Sequence, residues 1–197
     1  MTSFTAAAEK EVLRRRYLEL RDELTPQSVE RKSLEIVQTV MGLQEYTGAQ
    51  VLASYIAKGS EVQTQALIKN ALGGGKRVLV PVTQRNSREL FFSEIPTLYA
   101  VSTGTLGILE PKPADRKLRH ITTADIVIVP GIVWDANGHR LGWGRGYFDG
   151  ALSKVRKDAL SIGFSFDLQL VEKVPREQFD LPVKMIVTES GVIRCHD

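Results

Sequence analysis

The residues best equipped for chemistry lie in one run, 138–149, which reads Gly138-His139-Arg140-Leu141-Gly142-Trp143-Gly144-Arg145-Gly146-Tyr147-Phe148-Asp149. Alternating glycines let backbone N–H groups approach an anion closely and permit a positive φ. Arg140 and Arg145 add planar forks that match phosphate oxygens. The apolar pattern predicts a helix over 147–155, and a helix start offers unpaired N–H groups and a positive dipole end to a phosphate. Asp149, in the first turn of that helix, has two potential uses: it can cap the helix or hold a magnesium ion between phosphates. A flexible turn with surface arginines is the ordinary alternative. Two arginines, aromatics and an aspartate in one segment favour the anion site.

Other phosphate motifs do not fit. A dinucleotide fingerprint is spaced G-x-G-x-x-G and follows the first strand; this run is G-x-G-x-G and comes late. Gly75-Lys76 is followed by Arg77, and Asn70 stands where a P-loop needs glycine. Residues 73–76 read instead as a helix end with a basic last turn.

Further cations precede this run. Lys10 and Arg14 are four apart on a predicted helix over 5–24 and share a face. The apolar stripe there is Val12, Leu13, Tyr17, Leu20 and Leu24, and Lys10 and Arg14 are expected to point away from it. Glu9, Glu11 and Glu19 make a plain solvated face possible. The alternative is a pair of cations reaching the phosphates of the glycine run. Glu61 follows a predicted strand over 50–56. With Ser60 as N-cap it opens a helix over 61–72, where it could accept hydrogen bonds from an amide-rich ligand such as a pterin.

These side chains need a frame. Residues 28–42 read as a second helix, and 77–82 as a β-branched strand. The strand–helix–strand order from 50 to 82 is a βαβ unit with parallel pairing. Residues 90–92 have the character of a strand, and 105–113 of a loop. Ile126-Val127-Ile128-Val129 is four consecutive β-branched residues, expected to be buried on both faces. Strands over 159–164 and 185–188, with a hairpin to 191–193, complete the pattern. The expected fold is α/β: a three-layer sandwich with a mostly parallel, Rossmann-like central sheet and helices on both faces, in a single domain over 1–197. Ligands in such sheets bind beyond the carboxyl ends of the strands, that is, past Ile56, Val82, Val129 and Phe164.

Composition narrows the field. The chain has 197 residues, 43% hydrophobic and 25% charged, which fits an ordinary globular protein and excludes disordered and disulfide-scaffold classes. The lone Cys195 permits no internal disulfide or zinc pair. A cytoplasmic location follows, with no membrane partner, since no apolar run reaches ~18 residues. The three histidines are scattered. The pI is about 9.0, yet 26 basic residues against 23 acidic leave an excess of three. That is too few for a nucleic-acid footprint unless clustered, and the sparse aromatics offer no base-stacking stripe.

Taken in order, these segments resemble the 5-formyltetrahydrofolate cyclo-ligases. The family opens with Lys-x-x-x-Arg, here Lys10 and Arg14. It continues with Ser-Glu-x-x-Thr, here Ser60, Glu61 and Thr64, and with Gly-Ile-x-Glu-Pro, here 107–111. Its hallmark is Arg-Leu-Gly-x-Gly-x-Gly-Tyr-Tyr-Asp, here 140–149. A Pro…Asp…Val-Thr-Glu tail matches Pro175, Asp180, Val187, Thr188 and Glu189. The resemblance implies ATP- and magnesium-dependent closure of 5-formyltetrahydrofolate, possibly polyglutamylated, to 5,10-methenyltetrahydrofolate, with ADP and phosphate released. It implies ATP contacts from Lys10, Arg14, Arg140, Leu141, Gly142, Trp143, Gly144, Arg145, Gly146, Tyr147 and Phe148. Substrate contacts would come from Ile56, Glu61, Trp143, Gly144, Arg145, Gly146 and Tyr147; Trp134, near the hallmark, has two readings, a stacking platform for the folate or a core side chain. Arg145, Lys10 and Tyr147 would be catalytic, Asp149 and Asp180 would hold Mg2+, and the protein would be a monomer. Three positions depart from the pattern: Phe148 replaces a second tyrosine, Trp143 a basic or small residue, and Lys184 an acidic one. None removes a group the reaction requires. A non-catalytic folate- or nucleotide-binding relative would be expected to lack Lys10, Arg145 or Asp149, and all three are present.

Overall fold

The structure is a computed structural model that describes residues 2–83, 87, 89–104 and 107–195. Five helices are described: α1 (Thr2–Asp22), α2 (Pro26–Met41), α3 (Gln44–Gly48), α4 (Gln65–Gly73) and α5 (Tyr147–Leu152). The strands are β1 (Val51–Ser54), β2 (Arg77–Val82), β3 (Phe91–Ile95), β4 (Val101–Thr103), β5 (Leu109–Pro111), β6 (Lys117–Arg119), β7 (Ile126–Val129), β8 (Val133–Asp135), β9 (Arg140–Leu141), β10 (Leu160–Phe164), β11 (Leu170–Val171), β12 (Met185–Thr188) and β13 (Gly191–Arg194).

Eight strands form one mixed, mostly parallel sheet in the order β13-β12-β10-β7-β1-β2-β3-β6. Its centre, β12-β10-β7-β1-β2, is parallel, and antiparallel neighbours close both flanks. With β1, β2, β7, β10 and β12 counted one to five, the spatial order reads 2-1-3-4-5. This is the flavodoxin-like doubly wound order, not the 3-2-1-4-5-6 of the Rossmann dinucleotide fold, and its switch point lies between β1 and β7.

Strand β7 alternates as its sequence demands. Ile126 and Ile128 join the core under α2 and α4, whereas Val127 and Val129 join the core on the opposite face. That second face is covered differently from the expected helical layer. Among the described α-helices the six-residue α5 lies on it, together with Trp134, Ile121 and Phe92. Helix α1 packs elsewhere: Leu13, Tyr17 and Leu18 meet Ile132, Val133, Leu141 and Val174, next to a small sheet ordered β11-β8-β9. The expected α1 stripe is therefore corrected. Val12 is 55% exposed and Leu20 37%, and Lys10 is buried at 7%. The inward face mixes Lys10 and Arg21 with Leu13 and Tyr17.

Other boundaries move for local reasons. The helix expected from Glu61 begins at Gln65, because the Thr64 hydroxyl donates to the Tyr55 carbonyl (2.7 Å) and accepts from the Ala57 N–H (3.2 Å). Such side-chain bonds compete with the helical ladder. Ser60 is thus no N-cap. Within the expected loop over 105–113, residues 109–111 form β5, which pairs with β4; Thr105 and Leu106 lie outside the described residues. Lys76 is not a basic last turn of α4, since its ammonium donates to the Ala49 carbonyl at 2.6 Å, just past α3.

Asp125 ties the strand starts together. Its Oδ2 accepts from the Gln50 and Val51 amides (2.8 and 2.9 Å), and its Oδ1 from Arg156 (2.8 Å). Burial raises its pKa, but these donors outweigh that and hold the carboxyl below its usual range. A depressed folded-state pKa stabilises above the unfolded value, about 3.9, and that stability is lost as pH falls through the folded value. Asp125→Asn should therefore flatten the acid limb of stability below about pH 4 and lower the plateau by about 1 kcal/mol, as read by urea melts across pH.

Candidate active site

The carboxyl end of β1 runs into a cross-linked loop over 55–64, and the carboxyl end of β7 runs on toward the glycine segment. The two meet at the switch point. In the first loop the Lys58 N–H donates to Glu61 Oε2 at 2.9 Å, and the Tyr55 hydroxyl donates to the Val62 carbonyl at 2.8 Å. From the second, the Trp143 indole hydrogen-bonds the Glu61 carboxylate. Burial raises Glu61 above the ordinary carboxylate range, against the Lys58 amide, Arg21, Trp143 and the Lys58 ammonium. A carboxylate held between desolvation and cations suits an acceptor of ligand N–H groups.

Gly144 (φ +76°) and Gly146 (φ +66°) both occupy the left-handed region, so the loop turns where other residues would be strained. Arg14 lies along this loop: its Nε donates to the Gly142 carbonyl at 2.8 Å, and a Cβ on Gly144 would touch its guanidinium at 3.5 Å. Lys10, one turn earlier, pairs with Asp180 at 2.9 Å and Glu177 at 3.5 Å. Arg145 is exposed. The Tyr147 hydroxyl donates to the Ser87 carbonyl at 3.3 Å. Helix α5 ends at Leu152, not Val155, so its dipole is smaller than the sequence implies and the loop's own N–H groups and cations matter more.

Several expected ligand contacts sit in packing positions. Trp134 is fully buried between Gly131 and Gly163, where an added Cβ on either glycine would fall 2.4 Å from its ring. Of its two readings the structure takes the core one and not the stacking platform. Ile56 and Leu141 are core side chains as well, and the half-buried Phe148 packs against both main clusters. Arg140 is buried and gripped: it donates to Asp149 Oδ1 and to the Leu181 carbonyl, each at 2.9 Å. It locks the tail against the loop instead of facing an open crevice. Cys195 is no nucleophile, because burial pushes its thiol up to about 11.

Sequence reasoning missed Arg21, 4% exposed, whose Nε donates to Ser60 Oγ at 3.0 Å. The signal was available. Residues 10, 14 and 21 fall within about 40° on a helical wheel, the same stripe as Leu13 and Tyr17.

For magnesium, the observation is mixed. Among the described residues no group of three or more His, Cys, Asp or Glu side chains is placed to hold a metal. Asp149 and Asp180 are instead matched to Arg140 and Lys10. Burial raises the Asp180 pKa, yet Lys10, the Glu177 amide and Arg140 hold it below its usual value. Two such carboxylates do not make a preformed metal cage. They suit a magnesium that brings phosphates and waters as most of its ligands.

Fold and site define a doubly wound α/β protein whose glycine loop, with its cations, meets a half-buried carboxylate at the switch point. The 5-formyltetrahydrofolate cyclo-ligase family model matches residues 6–189, and the chain belongs to that family. An Escherichia coli K12 5-formyltetrahydrofolate cyclo-ligase is 31% identical over 171 residues, covering 86% of this chain and 94% of the relative. The solution structure of Aquifex aeolicus 5,10-methenyltetrahydrofolate synthetase superposes with a TM-score of 0.83 at 29% identity, covering 95% of this chain and 93% of that one. An Arabidopsis thaliana relative, 30% identical over 80% of this chain and 66% of its own length, is described as mitochondrial. Among the described residues no helix is long and apolar enough to cross a membrane.

Proposed function

We propose that this chain closes 5-formyltetrahydrofolate to 5,10-methenyltetrahydrofolate with consumption of ATP, as a single-domain monomer of folate metabolism in the cytosol. The observation that carries this reading is that the glycine loop, through Trp143, meets the Glu61 turn at the switch point. Lys10, Arg14, Arg145 and the glycine loop offer an anion site, and Glu61 with Trp143 offers a carboxylate and a ring to an amide-rich heterocycle.

The chemistry follows from the formyl group. A formamide oxygen leaves poorly as hydroxide and well as phosphate. Its attack on the γ-phosphorus displaces ADP and gives an imidate-like phosphate. Nitrogen 10 then attacks the formyl carbon, loses its proton, and phosphate departs. Phosphoryl transfer is mostly positioning and charge neutralisation. Arg14 holds the loop by the Gly142 carbonyl, so the loop N–H groups present a fixed cradle. Arg145 and Lys10 neutralise phosphate oxygens, and Tyr147 borders the loop where the two substrates meet. Glu61 accepts from the pteridine N–H edge and orients the formyl group toward the phosphate.

Asp149 and Asp180 would hold magnesium, which when bound spreads phosphate charge. Both carboxylates now balance protein cations, so a bound nucleotide's phosphates would take the place of the Asp180 carboxylate on Lys10, while Arg140 would keep Asp149 in position. The single thiol accords with a reducing compartment. The test is absorbance of methenyltetrahydrofolate formed from 5-formyltetrahydrofolate, with and without ATP and magnesium. Turnover that requires both is expected; no turnover, or turnover indifferent to ATP, would end this reading.

A further inference from the structure

The buried end of α1 holds a cation that the anion site does not use. Arg21 lies in the last turn of α1, seven residues beyond Arg14, and is 4% exposed. Burial of a guanidinium is costly unless its donors and charge are matched. One donor is accounted for: Nε to Ser60 Oγ at 3.0 Å. Ser60 Oγ is in turn bonded to the Asp22 carboxylate. The backbone is fixed beside this pair. The Glu61 N–H donates to the Lys58 carbonyl at 3.2 Å, the Lys58 N–H returns to Glu61 Oε2, and Gly59 (φ +57°) makes the turn between them. The Gln63 amide donates to the Gly59 carbonyl at 3.1 Å, and its N–H meets Ser33 Oγ at 2.9 Å. The turn bearing Glu61 is thus anchored to α1 by Arg21 and to α2 by Ser33.

We propose that Arg21 is a positioning residue for the folate side of the crevice: it clamps the 58–61 turn through Ser60 and supplies the buried counter-charge that keeps Glu61 an anionic acceptor for the pteridine N–H edge. The inference rests on the reading of Glu61 given above.

Among the described residues, the groups that face Glu61 come from three elements. On its own turn stand Lys58 and the Tyr55 phenol; on α1, Arg21, with Asp22 bonded to Ser60; on the glycine loop, the Trp143 indole. Lys58 is exposed, so solvent screens it more than the buried Arg21. Burial lifts the Glu61 pKa and Arg21 opposes the lift. Removal of the Arg21 charge should therefore move Glu61 protonation to higher pH. Binding that needs the anion should then weaken at the acid end first. A role confined to packing would weaken binding evenly across pH and would touch both substrates.

The test is steady-state kinetics of the full-length protein and of Arg21→Met, Arg21→Lys and Ser60→Ala, at pH 6 and pH 8, with 5-formyltetrahydrofolate and ATP varied in turn. For Arg21→Met the folate KM should rise about tenfold at pH 6 and less at pH 8, with the ATP KM within about twofold of the parent. Arg21→Lys, which keeps the charge, should restore most of the pH 6 value. Ser60→Ala should raise the folate KM about threefold at both pH values, since the clamp is lost but the charge stays. Equal rises in both KM values, or a folate KM rise independent of pH in Arg21→Met, would overturn the proposal. If Arg21→Met does not fold, an unchanged folate KM in Ser60→Ala overturns it alone. Turnover of the parent protein is measured alongside. Its absence would refute the assigned reaction, whereas an active parent with indifferent variants refutes only the role of Arg21.

Discussion

Arg145→Ala should lower turnover by about two orders of magnitude while the melting temperature stays within a degree or two of the parent. The two halves of this expectation come from one placement. Arg145 sits between the left-handed Gly144 and Gly146, exposed on the loop. A well-placed charge on a phosphoryl group in transit is worth roughly 3 kcal/mol, about a hundredfold in rate. An exposed side chain outside the core contributes little to folding, and surface substitutions usually stay within about 0.5 kcal/mol. Arg140 provides the contrast. It is buried and bonded to Asp149 and Leu181, so its removal should cost stability and activity together. Rapid-quench measurement of ADP release, beside a thermal melt, separates the two behaviours. Arg145→Ala kinetics indistinguishable from the parent would remove Arg145 from the site.

The difference between these two arginines also shows where sequence reasoning ran out. Both stand in one motif, and only the fold tells which is buried. Local patterns served well where one physical requirement dominated. The run Ile126–Val129 is buried on both faces, so it had to be β-branched throughout, and the parallel frame around it was legible. The glycine run was legible because few other residues tolerate its backbone. Patterns failed where two requirements shared a face. Helix α1 buries Lys10 and Arg21 beside Leu13 and Tyr17, so an apolar stripe drawn without the charges points the wrong way. The ligand reading of Trp134 rests on its nearness in sequence to the hallmark. No local signal could show that Gly131 and Gly163 leave a slot for its ring. The sheet β11-β8-β9 was missed because strands of two or three residues are too short to display a period of two.

That small sheet leads to the largest expected effect on stability, from Gly138→Ala. Gly138 joins β8 to β9 with φ +87°, and a Cβ there would lie 2.3 Å from the Val183 carbonyl oxygen and 3.1 Å from the Val183 nitrogen. The nearest obstacle is backbone, so moving the Cys195 thiol, also 3.1 Å away, would not relieve it. The turn is already committed on its other side. Asp135, 1% exposed, accepts from the Asn137 and His139 amides with Oδ1 and from the Val174 amide with Oδ2. The Val183 N–H also donates to the Gly138 carbonyl at 3.0 Å, so separating the two segments breaks that bond. Left-handed strain of about 1–3 kcal/mol and overpacking of a similar size together predict a loss of about 3–4 kcal/mol, or roughly 10 °C in melting temperature. The loss should reach the site, because β9 carries Arg140, which holds Asp149 and the Leu181 carbonyl. Residual activity at low temperature should therefore show a raised ATP KM beside the lowered melting point. A Gly138→Ala protein that melts with the parent would mean that the tail over 181–183 does not press on the β8–β9 turn, and the anchoring of Asp149 and Asp180 through that tail would have to be abandoned with it.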